Sequence, residues 1–172
     1  IYKVVKENDM ERKIGISILG LAMLSLLTGC PTEVGEPQTY DASRDYYLPY
    51  ALGESPLLIQ GYFGEGVKEL NLGWESHFGY ELDFVMKEGS LILASRDGVV
   101  KFVDDAHDGK CPINQNCEGN YVQVEHENGY IGYWHIKQGG SCVEVGDEIK
   151  RGDVIAYSGN VGISVLPHLH IT

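Results

Sequence analysis

"NYVQVEHENGYIGYWHI", Asn120 to Ile136, is the stretch whose reading decides the fold. Val122 and Val124 alternate with Gln123 and Glu125, and Ile131 and Tyr133 alternate with Gly132 and Trp134. Alternation with a period of two sends successive side chains to opposite faces of a strand. Between the two runs stands Asn128-Gly129, the pair best suited to the positive φ angles of a two-residue hairpin turn. The stretch therefore predicts two antiparallel strands with one apolar face. An isolated hairpin is marginal in water, so further strands must cover that face.

They are present on both sides. "LLIQGYF" (57–63), "YELDFVM" (80–86), "LILA" (91–94), "GVVKFV" (98–103), "DEIK" (147–150) and "DVIAYSG" (153–159) are short apolar or alternating runs bounded by Gly, Asn or Asp. The 22 glycines and 11 tyrosines favour turns and strands over helices. Outside the N-terminal stretch no window has helical periodicity. Residues 57–172 are predicted to form an all-β domain, an antiparallel sheet or sandwich, with "YIGYWHIK" as one continuous strand.

The formal net charge is −12, with no basic cluster beyond the N-terminus. A surface of that sign repels phosphate backbones, which excludes nucleic acid as the expected partner. "MERKIGISILGLAMLSLLTGC" (10–30) has a basic start, an apolar run from Ile14 to Leu27 and a small-residue ending before Cys30. The run is shorter than the ~20 residues of a membrane span and has the length of a signal-peptide core. Leu27-Thr28-Gly29-Cys30 resembles a bacterial lipobox, which implies acylation at Cys30 and a protein exported to the bacterial cell envelope and anchored in a membrane. Residues 10–29 are then the signal peptide, and residues 1–9 an upstream extension. Residues 30–56, acidic and holding four prolines, read as the acylated N-terminus and a flexible tether. In an oxidising compartment Cys111 and Cys117 of "CPINQNC" are the evident disulfide, and Cys142 stays unassigned.

Asp83, between Leu82 and Phe84 in an apolar run, needs a cationic partner, because burying a lone carboxylate costs several kcal/mol. Its run follows His77. His135 lies in an aromatic strand, on the face of Tyr133 and Ile131. His168 and His170 of "VLPHLHIT" stand at i and i+2 of an extended segment and share a face. His107 and His126 sit in polar turns and read as solvated.

The segments "SHFGYELDF", "GNYVQVEHENGYIGYWHI" and "VGDEIKRGDVIAYSGNVGISVLPHLH" occur in the order seen in lysostaphin/LytM-type zinc metallopeptidases, which cut peptidoglycan cross-bridges. The resemblance covers about residues 57–172. It implies zinc as cofactor, with His77, Asp83 and His170 as ligands and His135 and His168 as the catalytic pair. It implies a peptidoglycan peptide as substrate. The residues do not divide the roles of His135 and His168. Two histidines and a carboxylate leave zinc a fourth position for water, as hydrolysis requires. The family's usual first motif, His-x-Gly-x-Asp, places Glu81 at the carboxylate position. The flanking Leu82 and Phe84 instead favour Asp83. The segment after His170 is shorter than in relatives, which implies a domain truncated at its C-terminus. The alternatives are a non-catalytic relative that binds cell wall or activates amidases, and a structural lipoprotein with incidental histidines.

Overall fold

The structure is a computed structural model and describes residues 30–31, 46–62, 79–112, 115 and 117–172. The expected signal peptide, most of the tether and His77 lie outside the described residues. The chain divides into two compact units, Ile1–Glu33 and Val34–Thr172. Only residues 30–31 of the first are described, and every strand below belongs to the second.

Twelve strands form in chain order: β1 (Leu58–Gln60), β2 (Leu82–Val85), β3 (Leu91–Leu93), β4 (Gly98–Asp104), β5 (Lys110–Cys111), β6 (Tyr121–His126), β7 (Gly129–Trp134), β8 (Ile136–Ser141), β9 (Glu148–Ile149), β10 (Val154–Ser158), β11 (Gly162–Ile163) and β12 (His168–Ile171). The predicted hairpin is β6–β7, in register from Tyr121↔Trp134 to His126↔Gly129. It sits inside a seven-stranded sheet of order β1-β2-β12-β7-β6-β4-β9, beside a three-stranded sheet of order β3-β10-β8. Phe84, Val100, Val122, Val124, Tyr133 and Leu169 from the large sheet share one buried cluster with Ile92, Ile136, Ile155 and Ala156 from the small one. Two sheets closing on one apolar core is how an alternating pattern hides its hydrophobic face. Leu169 is fully buried, and truncating such a leucine to alanine costs about 2–5 kcal/mol.

Three expectations change. The strand expected through Lys137 breaks at His135, whose φ is +63°, and Ile136 opens β8 in the other sheet. The strands are not all antiparallel, because β5 and β11 pair in parallel. Residues 47–50, expected to be slack, are held against the domain: Tyr47 N donates to Ser95 O at 2.8 Å, Leu93 N donates to Pro49 O at 3.0 Å, and Tyr50 packs edge-on against Phe84. Backbone hydrogen bonds and an aromatic contact fix this stretch where its prolines and charges suggested slack. Cys111 and Cys117 are disulfide-bonded, and no cysteine is free among the described residues.

Gly159 shows how closely the end of β10 passes the start of β8 within the small sheet. A Cβ there would stand 2.6 Å from Lys137 N, 2.7 Å from Lys137 Cα and 2.8 Å from the Ile136 carbonyl carbon. All three are backbone atoms and cannot rotate away. Gly159→Ala is therefore expected to lower the unfolding free energy by about 1–3 kcal/mol, as overpacking does. Gly79→Ala, whose Cβ would meet nothing closer than 3.8 Å, is expected to change it little. Urea midpoints of the two variants check this.

Candidate metal and catalytic centre

β12 lies between β2 and β7, and its register carries the site. His170 pairs with Asp83 of β2 and with Trp134 of β7. Cross-strand partners share a face, so Asp83, His170 and Trp134 form one row. Leu169 and Ile171 point the other way, into or against the core. That alternation keeps His168 and His170 on the solvent side of the sheet.

Asp83 is 6% exposed. His170 Nδ1 stands 2.8 Å from its Oδ1, and His168 Nε2 stands 3.6 Å from the same oxygen. The His168 imidazole is oriented from behind: Nδ1 donates to Leu166 O at 2.8 Å and lies 3.1 Å from Ser164 Oγ. A carbonyl only accepts, so the proton is on Nδ1 and Nε2 carries the lone pair. With its amide turned to satisfy its neighbours, Asn160 donates to that same Ser164 Oγ at 2.7 Å.

His135 reaches the site by breaking a rule. As a continuation of β7 it would face the core with Tyr133 and Ile131, the expected arrangement. Its left-handed φ of +63° turns the ring out instead, to 4.6 Å from the His168 ring and 6.0 Å from the His170 ring, centroid to centroid. Non-glycine residues rarely adopt this conformation, which costs on the order of 1–3 kcal/mol. Its Nδ1 donates to Val161 O at 2.7 Å, leaving the lone pair on Nε2. Burial, then the neighbouring His168, lower its pKa from 6.5 to about 4. His135 is thus a neutral imidazole at pH 7.

Of the other two described histidines, one departs from expectation. His126 is buried, not solvated: Nδ1 lies 2.7 Å from Asp97 O, under Gly98, where a Cβ would meet that nitrogen at 2.7 Å. Gly98 lies on the adjacent strand β4, so nothing beside His126 in the sequence signalled its burial. His107 Nε2 stands between Asp104 Oδ2 at 3.1 Å and Glu118 Oε2 at 3.3 Å, a surface arrangement apart from the row. Glu81 turns back on its own loop, where its Oε2 accepts from Gly79 N at 2.8 Å. Ser164, Asn160 and the Val161 carbonyl were not singled out from sequence, since small polar residues in a loop carry no periodic signal.

Imidazole nitrogens and a carboxylate oxygen are the donor set that suits zinc. Two ligand atoms about 2.0–2.1 Å from a tetrahedral ion lie ~3.3 Å apart. The 2.8 Å between His170 Nδ1 and Asp83 Oδ1 therefore needs only a small side-chain rotation to admit a cation in place of the shared proton, so Asp83 and His170 fit the ion. Among the described residues no group of three or more ligating side chains is placed to hold a metal, and the third expected ligand, His77, is outside that set.

The sequence profile of Peptidase family M23 matches residues 76–172. An uncharacterized metalloprotease of Buchnera aphidicola is 39% identical over 90 residues, covering 52% of this chain and 21% of the relative. Glycyl-glycine endopeptidase ALE-1 of Staphylococcus capitis is 30% identical over 108 residues, 63% of this chain and 27% of the relative. The chain thus spans about a quarter or less of the length of these curated relatives. Among solved structures, LytU aligns with a TM-score of 0.50 at 26% identity, over 70% of this chain and 74% of that one. A zinc-containing peptidase from Vibrio cholerae aligns at 0.55 and 22% identity over 74% and 36%, a likeness of fold alone.

Substitution tests the expected roles of four side chains. Asp83→Ala and His170→Ala are expected to lose zinc binding, whereas Glu81→Ala and His168→Ala keep it. Metal content after dialysis, with circular dichroism as the control for folding, checks the assignment. Loss of zinc from Glu81→Ala with retention by Asp83→Ala would reverse it.

Proposed function

Because the chain belongs to peptidase family M23, we propose that it is a zinc-dependent endopeptidase hydrolysing peptide bonds in peptidoglycan cross-links. The observation that carries the reading is the buried Asp83 carboxylate against His170, with the His135 and His168 rings packed together beside it. Asp83 and His170, with His77, would hold the metal. A zinc ion held there supplies Lewis acidity to the scissile carbonyl and makes a water acidic enough to ionise near neutral pH.

The protein's own side chains handle the proton. His135 is neutral, with its Nδ1 proton committed to Val161 O, so Nε2 is free to accept a proton from the attacking water. His168 has the same polarity, with Nδ1 committed to Leu166 O and Nε2 turned towards Asp83. A proton taken on either Nε2 can be returned to the departing amine, which completes hydrolysis as general base and then general acid. The Asp83 carboxylate stabilises the imidazolium so formed at His168. Fixed Nδ1 partners keep both rings in the working tautomer and limit reorganisation during the reaction.

Purified protein is expected to release soluble peptides from isolated cell walls, to stop when zinc is chelated, and to resume when zinc is restored. His168→Ala, still folded and still holding zinc, is expected to lose about 10²-fold or more in turnover, the scale of a missing acid–base group. Wall binding without peptide release, unaffected by chelation, would instead mark a non-catalytic module.

The same reading places the protein in the cell envelope, exported by residues 10–29 and anchored through acyl chains on Cys30. Acylation occupies the Cys30 sulfur, which is not free in this structure, and a thioether and a disulfide on one sulfur exclude each other. Mass spectrometry of the Cys30 peptide from a membrane fraction is expected to show the acyl increment. A peptide without it, released by reduction, would remove the anchor from the reading.

A further inference from the structure

We propose that Trp134, Tyr121 and Phe102 form a subsite that receives an extended peptide arm of the substrate, beside the metal centre; this rests on the peptidase reading above. The row that begins with Asp83 and His170 does not end there. Trp134 is the register partner of His170, and Tyr121 is the register partner of Trp134. All of these side chains stand on the solvent side of the large sheet, opposite Tyr133, Val122 and Leu169 of the core.

The three rings form one stack. Trp134 and Tyr121 lie 3.9 Å apart, centroid to centroid, at 16°, and Tyr121 and Phe102 lie 4.9 Å apart at 13°. Phe102 reaches this row because the β4–β6 register shifts between Val100 and Phe102, leaving it 44% exposed. Gly132 makes room for the near end: a Cβ there would stand 2.6 Å from Trp134 Nε1 and 2.7 Å from Thr172 Oγ1. The indole N–H donates to that Thr172 hydroxyl at 3.2 Å, which fixes the ring.

Spacing identifies the occupant. Strands lie about 4.7–4.9 Å apart, so the ridge runs from ~5 to ~15 Å from His170. An extended peptide advances about 3.3 Å per residue. The ridge therefore meets residues roughly two to four positions from the scissile bond, within the reach of a peptide arm. The nearby charges are already engaged: Lys101 Nζ with Glu125 Oε2 at 2.7 Å, and Asp104, the register partner of Tyr121, with His107 Nε2 at 3.1 Å. What remains is a neutral, rigid, partly exposed aromatic ridge. It suits peptide backbone and aliphatic side chains, with the electropositive ring edges offered to carbonyl oxygens.

A stack of cross-strand aromatics also supports the sheet that bears it, so the test must separate contact from support. The substrates are glycan-free cross-linked peptides in two lengths, one minimal around the scissile bond and one extended by four residues on each side. The quantity read is the ratio of kcat/KM for the long to that for the short. Phe102→Ala and Tyr121→Ala are expected to lower this ratio about tenfold, the scale of a lost apolar contact, chiefly through KM. Phe102→Leu should recover part of it, and Lys101→Ala should leave it unchanged. Phe102, being exposed, carries the test if Tyr121→Ala does not fold. Equal losses on both lengths would overturn the subsite and leave only sheet support. A loss seen only when glycan is attached would overturn it too, since the occupant would then be sugar. Failure of the unsubstituted, zinc-loaded protein to cut either length would instead overturn the peptidase reading itself.

Discussion

An ionised carboxylate nearly excluded from water is stable only where positive charge and hydrogen bonds replace its hydration. Asp83 is such a group, 6% exposed on β2, one strand in from the edge of a seven-stranded sheet. Among the described residues, its hydrogen-bond partner comes from β12, which is far away in sequence: His170 Nδ1 at 2.8 Å, with His168 Nε2 3.6 Å from the same oxygen. The β2–β12 pairing is thus more than one ladder among several. It sets Asp83 opposite His170, and through Trp134 it fixes where β7 and the following turn must lie.

His135 then stands at the price-setting point of the backbone, where a positive φ separates the two sheets' strands. β7 ends in the large sheet and β8 begins in the small one, and the residue between them cannot keep strand geometry on both sides. The conformational cost falls on a single non-glycine residue. It is offset by the ring's hydrogen bond to Val161 O and by its packing against His168. Strain of this kind persists where surrounding structure over-determines it, and sites that need a side chain aimed against the strand rule are where it is found. The same break that joins the two sheets delivers the third imidazole.

The Val161 carbonyl, Ser164 and Asn160 make the segment 160–164 the backing of both rings. This segment is held in turn by β11 pairing with β5, the strand that carries Cys111 of the Cys111–Cys117 disulfide. Gly162 and Gly119 meet closely there, since a Cβ on Gly162 would come within 2.8 Å of Gly119 Cα. The loop that looks in the sequence like a separate disulfide-closed excursion is thereby part of what orients the imidazoles.

Strand identity was legible in the sequence because burial imposes a period of two, and the β6–β7 hairpin because Asn128-Gly129 supplies its turn chemistry. The need of Asp83 for a partner followed from its apolar flanks, and the shared face of His168 and His170 from their spacing. None of these local signals carries long-range register, so only the tertiary structure decided that β12 inserts between β2 and β7 and sets His170 against Asp83. It also decided that His135 leaves the face of Tyr133, because that choice arises from a strand having to change sheets. His126 became a buried residue for the same kind of reason: Gly98 on the adjacent strand admits its ring. Periodicity along a chain fixes which way a side chain points within its own strand, while partners across strands are chosen by the packing of the whole domain.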